Sequence, residues 1–228
     1  MRFRKKTSLT LQNSVQGQLQ FSQRTALDRY PEVFKFVSDL VLENTNVVPR
    51  ILSFGCSTGE EPLTFRTKYF QNAEIYGVDI SSDALELARR KSIKSKAYIK
   101  FCTPVEMPEL GEFDAIFAMS VLCRWPATKD KTEISEIFPF RDFEHGLSEI
   151  VDRVKVGGYL TIYNSNYRFE DSMFFADFQK VEFNPPGQFV TMFDKKGRRL
   201  PNPSSSVIFY RFQSTVFLET NARGGKQE

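Results

Sequence analysis

The chain has 228 residues, of which 41% are hydrophobic, including 23 phenylalanines, and its formal net charge at pH 7 is +3. This length and hydrophobic content predict one globular domain with a sizeable core, and they leave no room for a second full domain. Lysine and arginine are scattered apart from short clusters at residues 2–6 and 195–199, which excludes the strongly basic stripe typical of nucleic-acid-binding proteins.

The cysteines and the apolar runs indicate the cellular compartment of the protein. Cys56, Cys102 and Cys123 are odd in number and far apart, so we expect neither a disulfide framework nor a C-x-x-C metal site. No apolar run reaches the length of a signal peptide core or a membrane helix. We therefore expect a soluble, cytoplasmic protein with no bound metal and no membrane partner.

Helices and strands are predicted to alternate along most of the chain. A polar N-terminal extension, residues 1–28, precedes a single domain over 29–217, and a flexible tail, 218–228, follows it. Hydrophobic periodicity predicts helices at 31–43, from about 60, from 82 or 83, at 140–154 and at about 169–178. Short apolar runs predict strands at 50–54, 75–80, 97–102, 113–119 and 159–163, and a closing hairpin from 188–193 and 207–217.

This order predicts the fold class. Strands that alternate with helices require a mainly parallel sheet covered on both faces, and the nearly continuous apolar run at 113–119 is typical of a central strand. We expect an α/β fold with a doubly wound, seven-stranded sheet and an antiparallel C-terminal hairpin. In such sheets a ligand binds beyond the carboxyl ends of the strands, where the strand order reverses.

A glycine-rich turn follows the first predicted strand within the segment ILSFGCSTGEEP, residues 51–62. Gly55, Ser57 and Gly59 spell G-x-S-x-G, the pattern of a hydrolase nucleophile elbow. The single histidine, His145, lies inside a predicted helix rather than on a late loop, and no glycine-rich oxyanion loop precedes the serine. We therefore disfavour a hydrolase and expect His145 to be an ordinary helix-surface residue.

A dinucleotide-binding loop is also disfavoured. Its G-x-G-x-x-G fingerprint would require glycine at Ser57 and at Glu60. Pyrophosphate binds a helix N-terminus because backbone N–H groups and the helix dipole attract an anion, and the carboxylates of Glu60 and Glu61 would repel it.

A cofactor with a nucleoside, positive charge and no phosphate suits this turn better. Glycine lets the backbone approach the ligand closely, and carboxylates complement its charge. S-adenosylmethionine has this form, with a sulfonium and an amino group. Asp79, at the end of the second predicted strand, is placed to accept hydrogen bonds from both ribose hydroxyls.

The ordered segments ILSFGCSTG, IYGVDIS, FDAIFAMSVL and VGGYLTI resemble the class I S-adenosylmethionine-dependent methyltransferases over about residues 29–165. The turn GCSTGEEP is most similar to chemotaxis receptor glutamate methyltransferases and related orphan enzymes. The resemblance implies a Rossmann-like fold and the cofactor S-adenosylmethionine. It implies that the methionine part is surrounded by Gly55, Cys56, Ser57 and Gly59, with Glu60 nearby, and that its carboxylate pairs with Arg29. Asp79 would then hold the ribose, and the adenine would be bordered by Ile80, Val105 and Glu106. The methyl-transfer side would be lined by Met119 and Ser120.

Departures from the chemotaxis enzymes bear on the acceptor. Ser120 stands where those enzymes have asparagine, and the chain has no room for their helical N-terminal domain or their inserted β subdomain. We therefore expect the acceptor to be a small molecule or a protein side chain other than a chemotaxis receptor. A non-catalytic cofactor-binding or interaction module stays open, as does RNA methylation, which the lack of a basic, aromatic-rich stripe disfavours.

The residues near the expected acceptor side do not name a catalytic base. The candidates on the acceptor side follow the fourth and fifth predicted strands, and they are Cys123, Arg124, Asn164, Asn166 and Tyr167. A role in loop structure or in the core is at least as good an interpretation for each. Trp125, Phe174, Phe175 and Phe178 could wall an apolar acceptor pocket, but core packing is the favoured interpretation.

Overall fold

A computed structural model describes residues 19–20, 25–201 and 206–212, which form a sheet of seven strands covered by helices on both faces. The strands are β1 (Arg50–Phe54), β2 (Glu74–Val78), β3 (Ile99–Cys102), β4 (Phe113–Met119), β5 (Val154–Tyr163), β6 (Phe178–Val181) and β7 (Ile208–Arg211). The α-helices are α1 (Pro31–Asn44), α2 (Glu60–Thr64), α3 (Ser82–Lys94) and α4 (Phe140–Ser148). One π-helical turn, Phe65–Tyr69, continues α2.

The strand order is β3-β2-β1-β4-β5-β7-β6. Strands β1 to β5 pair with one another in parallel, and β7 runs antiparallel to both β5 and β6. The predicted doubly wound, seven-stranded fold is therefore confirmed. The order reverses between β1 and β4, so the carboxyl ends of these two strands frame the crevice where a ligand is expected.

Two hydrophobic clusters, one on each face of the sheet, hold the layers together. Alternation along β4 separates them, because Ala115 and Phe117 belong to one cluster and Ile116 and Ala118 to the other. The first cluster is completed by α1, whose Phe34 is fully buried and makes edge-to-face contacts with other phenylalanines. The second cluster is completed by α4 and by the 3₁₀ helices Phe169–Asp171 and Met173–Asp177.

Two predicted helices are shorter in the structure. The predicted helix over 140–154 ends at Ser148, and β5 begins at Val154 rather than at 159. Gly158 lies inside this strand, where an added Cβ would stand 3.0 Å from the carbonyl oxygen of Asp114, so glycine lets β5 approach β4 closely. The predicted helix over 169–178 is a pair of 3₁₀ helices, and Phe178 begins β6.

The predicted hairpin has one wrong partner. The described part of 207–217 contains β7, but it pairs with β6, Phe178–Val181, and residues 188–193 are not a strand. Side chains fasten this segment instead, since Asn164 Oδ1 accepts from the Phe189 N–H (3.1 Å) and Asn166 Nδ2 donates to the Thr191 carbonyl (2.8 Å). Residues 213–217, the predicted tail at 218–228 and most of the predicted extension at 1–28 lie outside the described residues.

Candidate functional site

A cavity of about 740 Å³ lies beyond the carboxyl ends of β1, β2 and β4. It stands at the point where the strand order reverses, which is the place that the fold favours for a ligand. Its volume is within the range of small-ligand sites. Nine of the predicted cofactor residues line it, namely Arg29, Gly55, Cys56, Ser57, Asp79, Ile80, Val105, Met119 and Ser120.

The glycine turn after β1 forms the floor of this cavity. The N–H groups of Gly55 and Cys56 both donate to the Val78 carbonyl (2.8 and 2.9 Å), which fixes the turn to the end of β2. Gly55 has φ +74°, and an added Cβ would stand 2.5 Å from a methyl group of Val121. Only glycine fits there, so the backbone itself faces the cavity.

Ser57 is a second special position in the turn. Its φ of +49° lies in the left-handed region. A residue other than glycine adopts this conformation at a cost in free energy, and such residues are often found at functional sites. The Ser57 N–H donates to Asp79 Oδ2 (2.7 Å), which stabilises this conformation. The carboxyl group of Asp79, which accepts from the Ser57 N–H beside the cavity, would oppose a developing oxyanion, and this argues against a serine hydrolase.

Asp79 joins the turn to the start of α3. Its Oδ1 accepts from the Ser81 N–H (2.9 Å), and its Oδ2 accepts from Ser57. An ionised carboxylate has about four acceptor positions, so two remain for the hydroxyls of a ligand. Ile80 and Val105 border the cavity beside Asp79, and they provide apolar surface for a planar ring.

Three of the predicted cofactor residues do not border the cavity. Glu60 pairs with Lys91 and accepts from the Thr58 hydroxyl (2.7 Å), and these hydrogen bonds outweigh its burial and lower its pKa. Glu106 accepts from the backbone N–H and the hydroxyl of Thr103 (2.7 and 2.9 Å) and so shapes the loop after β3. Gly59 faces α3, where an added Cβ would stand 2.7 Å from the Cβ of Ala88.

Glu61, the neighbour of Glu60, is the acidic side chain of α2 that borders the cavity. Its Oε1 accepts from the Ser53 hydroxyl (2.8 Å). Burial raises the pKa of Glu61 to about 8, although the Ser53 hydrogen bond and the charge of Arg29 lower it in part. Spacing in the sequence did not distinguish the two carboxyl groups, because Glu60 precedes the buried Thr64 by four residues just as Glu61 precedes the buried Phe65.

A cluster of hydroxyl and amide groups lies where β4 and β5 end. The oxygens of Tyr30 and Ser120 are 2.8 Å apart, and Asn164 Nδ2 donates to both of them (3.3 Å each). Ser120 and Asn164 both have φ +57°, which adds two strained residues to the same region. Burial raises the pKa of Tyr30, and the hydrogen bond with Ser120 offsets this in part, so the phenol is protonated at neutral pH.

The remaining acceptor-side candidates divide into structural and cavity-lining residues. Asn166 is fully buried and fixes two loops, since its Oδ1 accepts from the Arg124 N–H (2.7 Å). Tyr167 is buried and donates to the Phe138 carbonyl. The phenylalanines at 174, 175 and 178 pack in or against the hydrophobic core, as the favoured interpretation predicted. Trp125 contacts Phe189 and lines a second cavity.

Sequence reasoning missed several residues that border the main cavity. Tyr30, Glu61 and residues 19–26 of the predicted extension, as far as they are described, contribute to its wall. His145 and Glu149, four residues apart on and just beyond α4, lie at its rim, so the exposed His145 is a cavity residue as well as a helix-surface residue. Their position at the cavity depends on how α4 packs over the sheet, which a local sequence pattern does not predict.

The thiols near the cavity are unreactive. Burial, together with the negative charges of Asp79 and Glu61, holds the pKa of Cys56 well above its usual value. Burial likewise raises the pKa of Cys123 to about 11. Both thiols are therefore protonated at neutral pH and are poor nucleophiles.

Comparisons with known proteins agree with this geometry. Residues 51–158, slightly less than half of the chain, match a family model described as a methyltransferase domain. No curated protein sequence matches the chain. Among the described residues, none of the helices is both long enough and apolar enough to cross a membrane.

One solved structure shares the fold, and two others are similar over a smaller part of the chain. Magnesium protoporphyrin IX methyltransferase ChlM from Synechocystis PCC 6803, with bound S-adenosylmethionine, aligns with a TM-score of 0.52 at 14% identity over 79% of this chain and 78% of that one. The same enzyme with bound S-adenosylhomocysteine gives 0.42 at 18% identity over 58% and 55%. A methyltransferase from Clostridium acetobutylicum ATCC 824 gives 0.42 at 18% identity over 67% and 58%. The chain thus spans little more than half of the length of two of these three neighbours.

Proposed function

We propose that the chain binds S-adenosylmethionine in the main cavity and methylates an acceptor, because residues 51–158 match a methyltransferase domain model and the chain shares its fold with a methyltransferase structure that holds this cofactor. The observation that carries this proposal is the pairing of Asp79 with the glycine turn. One carboxylate holds the strained Ser57 backbone and still has acceptor positions that face the cavity. The assigned cofactor residues fall in the predicted domain, 29–217, although described residues of the predicted extension also border the cavity.

The lining groups fit the parts of this cofactor. We assign the ribose hydroxyls to Asp79 and the adenine to the apolar surface of Ile80 and Val105. We assign the methionine part to the turn at 55–57, where the lack of a Cβ on Gly55 allows close approach. The carboxyl of Glu61, in its ionised form, complements the amino group, a role that sequence reasoning gave to Glu60 and Glu61 together, and Arg29 complements the carboxylate.

When bound, S-adenosylmethionine would supply an electrophilic methyl group for transfer from its sulfonium sulfur to a lone pair of the acceptor. The contribution of the chain is alignment and electrostatics. Tyr30, Ser120 and Asn164 present hydrogen-bonding groups where Met119 and Ser120 end β4. Since Tyr30 stays protonated at neutral pH, it serves as a hydrogen-bond donor rather than as a base.

The acceptor and the finer relationship rest on sequence. The similarity of GCSTGEEP to chemotaxis receptor methyltransferases is a prediction from sequence alone. The serine at position 120, where those enzymes have asparagine, argues for another acceptor. Cytoplasmic location is likewise a proposal from the cysteine content.

Calorimetric titration with S-adenosylmethionine and S-adenosylhomocysteine tests the proposal. We expect binding of both, and we expect Asp79→Ala to weaken it by about 1–3 kcal/mol through the lost hydrogen bonds. Asp83→Ala is the matched control, since Asp83 is exposed on α3 and does not border the cavity. The absence of binding at millimolar ligand would refute the cofactor assignment, and unchanged affinity in Asp79→Ala would refute the ribose role.

A further inference from the structure

A second cavity, of about 410 Å³, adjoins the proposed cofactor cavity. The two share five lining residues, namely Gln20, Thr25, Ala26, Arg29 and Ser120. The second cavity therefore begins at the end of β4, on the side of the Tyr30, Ser120 and Asn164 cluster. Its volume suits a small ligand and is too small for a folded partner.

Aromatic and apolar side chains wall the far side of this cavity. Trp125 and Phe189 pack edge to face, with ring centroids 5.3 Å apart and an interplanar angle of 75°. Val190 and the protonated thiol of Cys123 complete the wall. Two rings at an angle favour a flat ligand, because one ring can stack on it while the other meets its edge.

Hydrogen bonds hold the backbone segment that carries Phe189. Phe189 is held through its N–H by Asn164, which also bonds Tyr30 and Ser120. The neighbouring Thr191 is held at its carbonyl by Asn166, and its hydroxyl donates to the Lys129 carbonyl (3.0 Å). A segment held in this way loses little entropy on binding and so favours a specific ligand.

Charge distinguishes this cavity from the first one. Glu61, Asp79 and Glu149 border the cofactor cavity, whereas among the described residues that line the second cavity none carries a carboxyl group, and Arg29, which lines both cavities, is the one basic side chain. A cationic ligand would find no opposite charge there, so the cost of its desolvation would not be offset. A neutral or anionic ligand meets no such penalty.

We propose that the second cavity binds the methyl acceptor and that the acceptor is a small, planar aromatic molecule, neutral or anionic, whose nucleophilic atom lies at Ser120. This inference rests on the proposed function, because it takes the first cavity as the cofactor site. It replaces a protein side chain with a small aromatic molecule as the acceptor.

The test uses the single tryptophan of the chain, Trp125, as a reporter inside the proposed pocket. The protein is saturated with S-adenosylhomocysteine, and Trp125 emission is followed during titration with 4-hydroxybenzoate, 1-naphthoate and 2-naphthol. We expect at least one of these probes to change the emission with saturation. Tyramine, a cationic aromatic, and cyclohexanecarboxylate, which is not planar, should bind at least tenfold more weakly.

A variant pair separates the pocket from the overall fold. Phe189→Ala should weaken the best probe at least tenfold and leave S-adenosylhomocysteine affinity within twofold. Met173→Ala, which removes an exposed apolar side chain away from both cavities, should change neither affinity. Saturable binding of S-adenosylhomocysteine with no response to any aromatic probe, or with a preference for tyramine, would overturn the acceptor proposal alone. Failure to bind S-adenosylhomocysteine would overturn the proposed function and this inference with it.

Discussion

Replacement of Glu61 with glutamine removes an ionisable carboxyl group from the cavity and should stabilise the protein in a defined pH range. The Glu61 carboxyl has a pKa of about 8 in the folded chain because it is buried, against an ordinary value of 4.5. At pH 7 it is therefore protonated in the folded chain and ionised in the unfolded chain. Stability falls as pH rises from 4.5 to 8, since the unfolded state binds fewer protons throughout that range.

The size of the effect follows from this difference. Each pH unit in the window changes the free energy of unfolding by about 1.4 kcal/mol, so the loss between pH 4.5 and pH 7 is at most about 3 kcal/mol. Glu61 borders a cavity, and solvent screening reduces that figure. Glutamine keeps an acceptor for the Ser53 hydroxyl and cannot ionise. We expect Glu61→Gln to raise the free energy of unfolding at pH 7 by about 1–3 kcal/mol, with no gain near pH 4.5.

Urea unfolding at several pH values between 4.5 and 8.5, without cofactor, measures this difference. Glu60→Gln is the matched control, because its hydrogen bonds with Lys91 and Thr58 lower the pKa of Glu60 despite its burial. That variant should lose stability above pH 4.5, which is the opposite sign. If the difference between Glu61→Gln and the parent chain did not vary from pH 5 to pH 8, the shifted carboxyl would be refuted.

The same variant tests the proposed role of Glu61 toward the cofactor. Glutamine cannot complement a cationic amino group, so we expect about tenfold weaker binding of S-adenosylmethionine, equivalent to about 1.4 kcal/mol. In the parent chain, binding of a cation beside Glu61 favours its ionised form and should release a proton near pH 7. Calorimetry in buffers of different ionisation enthalpy measures the number of protons released on binding. Glu61→Gln should release none.

Two further predictions concern the same cavity. Gly55→Ala should lower the free energy of unfolding by about 1–3 kcal/mol in urea titrations, because φ +74° is strained for alanine and the added Cβ would collide with Val121. The variant should also fail to bind the cofactor. A variant with the stability of the parent chain would contradict the close approach of the backbone to Val121. Cys56 and Cys123 should resist iodoacetamide at pH 7.5 in the folded chain and react in urea, because burial keeps both thiols protonated; rapid labelling of either in the folded chain, detected by mass spectrometry, would contradict this.

Local sequence patterns determined much of the architecture. The helix that begins at Pro31 and the five parallel strands lie within a few residues of their predicted positions, apart from the earlier start of β5. These elements could be predicted because burial on one helix face, or on both faces of a strand, imposes a periodicity on neighbouring residues. The position of the glycine turn followed in the same way, since it connects the first of these strands to the next helix.

The closing strands show where local pattern stops being informative. Residues 188–193 are apolar enough for a strand, but side chains of Asn164 and Asn166 from the end of β5 hold this segment as a loop. The shorter segment Phe178–Val181 pairs with β7 instead. Strand pairing is a contact between distant parts of the chain, so a propensity within one segment cannot select its partner.

The candidate site divides in the same manner. The sequence alone determined that a glycine turn with adjacent carboxylates would lie at the carboxyl end of β1, and that Asp79 would stand beside it. Only the tertiary structure decided that Glu61 borders the cavity while Glu60 turns to Lys91, and that Tyr30, Ser120 and Asn164 meet. The physical reason is that side-chain direction and cavity shape depend on how helices pack over the sheet, which involves residues far apart in the chain.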